Sequence, residues 1–181
     1  MLILLGIVIA AAAAAILLYN RFIRQKNMVS EAWSGIDVQL RRRYNLIPNL
    51  VNAVKGYSKH EKSLFEQVTR ARASAISAQG TGSQVKAENA LSSALKSLFA
   101  VAENYPDLKA NQSFLDLQKN LSEIENEIQM ARRYYNGAVR NYNISVDSFP
   151  SMLIARMFNF EKAEFFEIEL ATERAVPEVN F

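Results

Sequence analysis

The residues that could support catalysis or metal binding are sparse in this chain of 181 residues. Its only histidine is His60, and it has no cysteine, which excludes a thiol nucleophile and a zinc–thiolate site. A di-iron helical bundle needs a Glu-x-x-His pair on two of its helices, and no such pair is present. We interpret His60, which lies between Lys59 and Glu61, as an exposed turn residue.

The clustered carboxylates and glycines offer no better candidate. Glu123, Glu125 and Glu127 alternate around a predicted helix, so they cannot converge on one ion and favour a solvated face. The glycine pair within residues 80–82 lacks the lysine and the preceding strand of a phosphate-binding loop. The many serines have no second histidine to activate them. The sequence therefore predicts a protein that is not an enzyme, with no metal, no cofactor and no small-molecule substrate.

A polar and basic flank does stand out on the first predicted helix. Asn45, Asn49 and Asn52 recur at steps of four and three, shortly after Arg41 and Arg42. Asparagine is a middling helix former, so three in register indicate a polar seam. Such a seam either fixes the register of helices inside the molecule or is offered to another subunit, and the sequence leaves both open. We take these five residues as one candidate interaction surface.

The helix that carries this flank begins in an uncharged segment. Met1 to Tyr19 has no charged side chain, and about twenty apolar residues cross a hydrocarbon core about 30 Å thick at about 1.5 Å per residue. No lysine or arginine precedes the segment and three follow it, which argues against the alternative of a cleaved secretory signal. The same asymmetry predicts a single span, with the N-terminus outside and the remainder in the cytoplasm.

The membrane contacts expected from this anchor are apolar, aromatic and basic side chains. Tyr19 lies where an interfacial aromatic is expected. The basic side chains that follow it either meet anionic phospholipid headgroups or act as a topology signal alone. The predicted anchor and interface residues are Leu5, Ile9, Ile16, Tyr19, Arg21, Arg24 and Lys26.

Elsewhere acidic and basic residues are interleaved and the net charge is only +3, so no nucleic-acid partner is predicted.

Helical periodicity continues along the rest of the chain. Apolar residues recur at steps of three and four from Val29 to Val54, and a seven-residue rhythm runs from Phe114 to Tyr142, as in coiled coils. We predict further helices over about residues 59–78 and 85–105, with a loop at 78–83 and a break near residues 56–58. The predicted fold is all-α: an N-terminal transmembrane helix that continues into an antiparallel up-and-down four-helix bundle, followed by a C-terminal docking segment.

The predicted organisation is an anchor at residues 1–20, a four-helix bundle at 21–148 and a C-terminal amphipathic and extended segment at 149–181. The last segment is too apolar for a plain tail, and exposed apolar patches usually mark interaction sites. It packs either on its own bundle or on a neighbouring subunit, and the sequence leaves this open. Its candidate docking residues are Phe158, Phe160, Phe165, Phe166 and Phe181.

Several motifs together resemble the LemA family. They are the run from Glu31 to Val54, the sequence GYSKHE at 56–61, ARRYYN at 131–136 and SFPS at 148–151. The resemblance covers nearly the whole chain. It implies an anchored bacterial inner-membrane protein with a soluble four-helix bundle and no established enzyme activity. A magnetosome-associated branch of the family also implies links to membrane shaping.

Two functional hypotheses follow. The leading one is a membrane-anchored homo-oligomeric scaffold that organises the bacterial inner membrane, with the phospholipid membrane and further copies of itself as partners. The alternative is a monomeric membrane adaptor that recruits a different protein, such as a membrane protein, through the flank from Arg41 to Asn52. A third hypothesis is that the assembly deforms the membrane itself.

Overall fold

The computed structural model describes residues 1–58 and 60–167, and all regular elements in these ranges are helices. The helices are α1 (Leu2–Tyr57), α2 (Lys62–Ser77), α3 (Thr81–Ala102), α4 (Pro106–Lys109), α5 (Gln112–Asp147) and α6 (Ser151–Met157). No strand occurs in the described residues, which confirms the all-α class. The predicted docking residue Phe181 lies outside them.

Helix α1 passes through Pro48, in line with the apolar stripe that runs from Val29 to Val54. Proline has no backbone N–H, so the carbonyl of Tyr44, one turn earlier, loses its helical partner. The structure replaces that partner, because Arg72 Nε of α2 donates a hydrogen bond of 2.7 Å to the Tyr44 carbonyl. The helix therefore continues past proline with this carbonyl satisfied, and the replacement ties α2 to α1.

The helix ends follow local chemistry, and some differ from the predictions. α1 ends at Tyr57, within the predicted break. The predicted loop at 78–83 is too long, because α3 already begins after Gly80, whose φ of 81° suits a residue without a Cβ. The predicted helix over about 85–105 stops before Pro106, and Pro106 opens the short α4, since proline fits the first helical turn.

The chain divides into two compact units. The first unit comprises Met1–Val38 and Ile128–Phe165. The second unit comprises Gln39–Glu127 together with the residues from Phe166 onward, of which Phe166 and Glu167 are described. Each unit has its own buried residues.

The core of the first unit is a small aromatic and aliphatic cluster. Phe22 of α1, Tyr142 of α5, and Ile154 and Ala155 of α6 are buried together. Phe160 packs on this cluster, and its ring stacks on that of Phe22 at a centroid distance of 4.8 Å. The described part of the C-terminal segment within the first unit therefore docks on its own chain.

A left-handed residue ends α6 and directs this docking. Asn159 has φ 53°, and the amide of Phe160 donates to the Ala155 carbonyl at 2.9 Å. A bond spanning five residues across a residue with positive φ is a Schellman motif, and asparagine tolerates that conformation better than most residues with a side chain. The motif turns the chain so that Phe160 reaches Phe22.

In the second unit, α2 packs against α3 and the core is mostly aliphatic. The apolar residues that recur along these helices are buried, namely Leu64, Phe65, Val68 and Ala75 of α2, and Leu91, Leu95, Leu98 and Ala102 of α3. Ile76 also lies in this apolar pattern, but its side chain is half exposed. Ala75 already occupies that part of the helix interface. Ile76 is the next residue and lies about 100° further around the helix, so its side chain points away from the interface.

Candidate interaction surfaces

The second unit contains a buried network of charged and polar side chains. Arg43 and Glu88 are almost fully buried and form an ion pair, and Arg43 Nη1 also lies 2.6 Å from Glu125 Oε1. The Tyr44 hydroxyl donates to the Glu88 carboxylate. Gln84 Nε2 lies 2.8 Å from Glu88 Oε1 and 2.9 Å from the Tyr44 hydroxyl oxygen. A buried ion pair contributes little net stability, but removing one partner leaves a charge stranded in the core.

The candidate flank on α1 lies outside this network. Arg41, Arg42, Asn45, Asn49 and Asn52 are all exposed. Arg42 Nη1 donates to Gln39 Oε1 at 2.9 Å, and Arg41 also has an interaction partner. The polar seam inside the second unit is thus formed by Arg43 and Tyr44, and the three asparagines are on the surface.

A groove of about 850 Å³ begins beside this flank, between α1 and α2. Its apolar lining comes from Ile47, Pro48 and Val51 of α1 and Phe65 of α2. Asn52 of the candidate flank also lines it. An apolar groove with a few polar groups at its edge is a common form of binding site.

The rim of the groove is basic. Four cationic side chains line it, from Lys55, Lys62, Arg70 and Arg72, against the single carboxylate of Glu66. Part of the Arg72 guanidinium is already hydrogen-bonded within the chain, because its Nε donates to the Tyr44 carbonyl. The excess of positive charge favours an acidic or amphipathic partner over a basic one.

The predicted anchor residues lie in the first unit and are open to their surroundings. Leu5, Ile9 and Ile16 are exposed in the chain, and α1 contains an 18-residue window that is apolar enough to cross a membrane. Arg21, Arg24 and Lys26 are exposed as well. Tyr19 differs, because its ring packs on other aromatic side chains and is half-buried.

The aromatic residues of the C-terminal segment divide into covered and open side chains. Phe158 lies 4.8 Å from the ring of Tyr19, and about half of its surface is exposed. Phe160 packs on Tyr19 and Phe22, and Phe165 remains exposed. Phe166 is fully buried within this chain, so its ring is already covered.

One ionisable group beside the first core has a shifted pKa. Burial raises the pKa of the Tyr142 hydroxyl above its ordinary value of 10.0, and the negative charge of Glu161 raises it further. The tyrosine is therefore neutral at physiological pH. It acts as an aromatic packing residue, with its ring edge-on to Phe22 at 6.2 Å.

The carboxylates and the histidine do not converge on a metal site in the described residues. His60 is exposed, and residues 1–58 and 60–167 contain no group of three or more His, Cys, Asp or Glu side chains that could hold an ion. Glu125 is an exception to the predicted solvated face on α5, because its carboxylate pairs with Arg43.

The buried network was missed from the sequence, although a signal existed. Arg43 lies three residues after Leu40 and four before Ile47, on the apolar stripe of α1. Gln84 and Glu88 likewise continue the α3 stripe of Leu91 and Leu95 in steps of three and four. Charged residues at core positions indicate a paired, buried site.

Comparisons with known proteins agree with this architecture. The model of the LemA family matches residues 32–181. Magnetosome protein MamQ 2 of Paramagnetospirillum magneticum is 26% identical over 187 residues, which cover 88% of this chain and 68% of that protein. Protein LemA of Metamycoplasma hominis is 26% identical over 150 residues, which cover 82% and 68%. The match over most of the chain, on an all-helical structure with an exposed apolar N-terminal helix, shows that this protein belongs to the LemA family.

Proposed function

We propose that this protein is a membrane-anchored, non-catalytic scaffold that associates with copies of itself on the cytoplasmic face of the bacterial inner membrane. The observation that carries the proposal is the pairing of an exposed apolar helix with an open groove and an exposed polar flank in one chain. The helices beyond the anchor would form an antiparallel four-helix bundle. The basic residues after the anchor would hold the bundle in the cytoplasm.

The relatives support an association with the membrane. Three matching proteins are named magnetosome proteins MamQ, and another is named LemA. The exposed apolar helix and these relatives together support membrane association.

The groove is the part of the surface that suits a protein contact. Because Ile154, Ala155 and Phe160 of the C-terminal segment already pack on their own chain, we assign the contact between subunits to another surface. Two grooves facing each other would bring like charges together, since four cations and one carboxylate line each groove. The groove of one copy would therefore receive a different, acidic surface of the next copy. Such a contact is heterologous, and it makes a ring when the rotation closes.

The mass of the full-length protein in mild detergent, corrected for bound detergent, tests the proposal. We expect a discrete oligomer whose mass falls when Lys62→Glu and Arg70→Glu reverse charge at the groove. Lys119→Glu is the matched control, because Lys119 is an exposed lysine of α5 outside the groove lining. A monomeric wild type contradicts the scaffold, and an oligomer mass that the groove variant leaves unchanged contradicts the groove as the contact between subunits.

A monomeric adaptor is the second candidate, and the basic rim supports it, since one acidic partner protein would match the groove and Arg41 and Arg42 beside it. The variant carrying Arg41→Glu and Arg42→Glu separates the two hypotheses. An adaptor loses a co-purifying partner while its own mass stays constant. A scaffold keeps its composition and either changes mass or does not respond.

A further inference from the structure

An exposed apolar face lies on and beside α6. Leu153 and Met157 are four residues apart on one side of this helix and are 52% and 70% exposed, while Ile154 and Ala155 on the other side are buried. Phe149, just before the helix, is 78% exposed. We call Phe149, Leu153 and Met157 the α6 face. Arg156 is exposed beside it.

The inner side of α6 packs against the end of the apolar segment of α1. Ala15, Leu18 and Tyr19 all contact the cluster that contains Ile154 and Ala155. The ring of Phe158, at the end of α6, lies 4.8 Å from that of Tyr19. These α1 residues belong to the last turn of the segment predicted to span the membrane, so α6 lies level with the end of that span.

We propose that the α6 face inserts into the membrane interface as a second contact with the bilayer that α1 crosses. The proposal rests on the proposed membrane anchoring. Lipid suits this surface better than water, because its exposed side chains are large and apolar and lie level with the acyl–headgroup boundary. The aliphatic stem of Arg156 can lie along the same boundary while its guanidinium reaches phosphate groups.

The consequence for the fold is a two-point attachment. A single spanning helix leaves the cytoplasmic part free to rotate about the membrane normal and to tilt. A second insertion point beside the first restricts the tilt of the first unit, because α6 is held to α1 by buried contacts.

Single-cysteine spin labelling of the full chain tests the proposal, and the chain has no native cysteine to interfere. The protein is reconstituted into vesicles of phosphatidylethanolamine and phosphatidylglycerol. Labels at Leu153→Cys and Met157→Cys report on the α6 face, and the label at Ile9→Cys reports on the anchor. All three sites are exposed in the chain, so the labels displace no core residue.

Tyr134→Cys is the matched control within the same unit. Tyr134 is 56% exposed, and its neighbour Tyr135 packs on Trp33 at 5.5 Å. Trp33 lies fourteen residues beyond Tyr19 in α1, a rise of about 21 Å at about 1.5 Å per residue. The control therefore reports on the aqueous side of the first unit.

Power saturation gives the accessibility of each label to oxygen, which concentrates in lipid, and to a water-soluble nickel chelate. We expect the oxygen-to-nickel ratio at positions 153 and 157 to exceed that at 134 several-fold and to approach that at 9. A ratio at 153 and 157 equal to that at 134 overturns the proposal and leaves the anchor intact. Low accessibility to both reagents also overturns it, because a second protein copy then covers the face. A water-exposed label at 9 refutes the membrane anchoring itself.

Discussion

The two units of this chain differ in the kind of side chain that they bury between their helices. The first unit closes on an aromatic and aliphatic cluster around Phe22, with no charged side chain in the buried set. The second unit buries an arginine and a glutamate among its leucines. Apolar packing is tolerant of repacking, whereas a buried ion pair demands one register, since a shift of one helix would strand both charges. We infer that apolar packing holds the helices of the first unit together. In the second unit the buried ion pair also fixes one arrangement of the helices beside the groove.

The largest expected effect comes from breaking the buried ion pair. Glu88→Ala leaves the Arg43 guanidinium in the core with only Glu125, and we expect a loss of about 4 kcal/mol in stability. Amide hydrogen exchange in α3 measures the loss within the second unit. Glu123→Ala, at an exposed carboxylate of α5, is the control and should change stability by less than about 0.5 kcal/mol.

A rescue experiment sharpens this result. Combining Arg43→Met with Glu88→Leu removes both charges and should recover most of the lost protection. If the double variant is as unstable as Glu88→Ala, the damage comes from the Tyr44 and Gln84 donors that lose the Glu88 carboxylate, and not from the stranded charge.

The matching test in the first unit is Phe22→Ala. Phe22 is fully buried and stacks on Phe160, so we expect a loss of about 3 kcal/mol from the cavity and the lost stacking. Urea unfolding followed by the fluorescence of Trp33, which belongs to the same unit, measures it. Met130→Ala, at a half-exposed position on α5, should cost far less, and equal losses would contradict the assigned core.

A double-mutant cycle tests the bond that replaces the one lost at Pro48. Arg72→Ala removes the donor to the Tyr44 carbonyl and should destabilise the second unit by about 2 kcal/mol. In a Pro48→Ala background the new backbone N–H takes that role, so Arg72→Ala should cost much less. Arg70→Ala, at an exposed arginine on the same helix, should show no such coupling, and additive losses at 48 and 72 would refute the compensation.

A smaller effect is expected at the turn after α6. Asn159→Val places a β-branched residue at φ 53° and should destabilise the first unit by about 1 kcal/mol, whereas Asn159→Gly should be neutral or slightly stabilising. Trp33 fluorescence during urea unfolding compares the two. Equal losses for valine and glycine would show that the asparagine side chain, and not its backbone conformation, matters.

The smallest effect at neutral pH concerns Tyr142. Its pKa is raised in the folded state, so above about pH 10 the unfolded chain loses this proton while the folded chain retains it. The stabilising contribution is complete below the unfolded pKa and is lost as the pH rises through the folded pKa. Tyr142→Phe should remove this part of the alkaline loss, seen as a flatter dependence of unfolding free energy on pH. An unchanged slope would contradict the shift.

The sequence predicted the long helices well, because the periodicity of their apolar residues was the deciding signal. The apolar stripes of α1 and α5 appear in the structure as buried residues such as Ile36, Leu40, Leu121 and Ile128. Packing of long amphipathic helices is decided by that periodicity. Short elements were harder, because α4 and the start of α3 depend on single turns around Pro106 and Gly80.

The candidate surfaces were only partly predictable. The flank from Arg41 to Asn52 was identified, but Arg43 was not assigned to the core, although it continues the apolar stripe of α1 between Leu40 and Ile47. The groove depends on how α1 and α2 pair around Pro48 and Arg72, which no local pattern encodes. The docking of Phe160 on Phe22 depends on the reversal at Asn159, another tertiary feature.

The division of the first unit between distant parts of the chain has a consequence during synthesis. Gln25 donates to the carbonyl of Asn141, 116 residues later, so the two sides of this unit leave the ribosome far apart in time. At roughly 5–20 residues per second that interval is about 6–23 s. The residues between them, Gln39–Glu127, make up most of the second unit and can fold first. Until α5 and α6 are made, the Phe22 ring has no packing partners and follows directly on the exposed apolar segment of α1, so this part of the nascent chain exposes the most apolar surface.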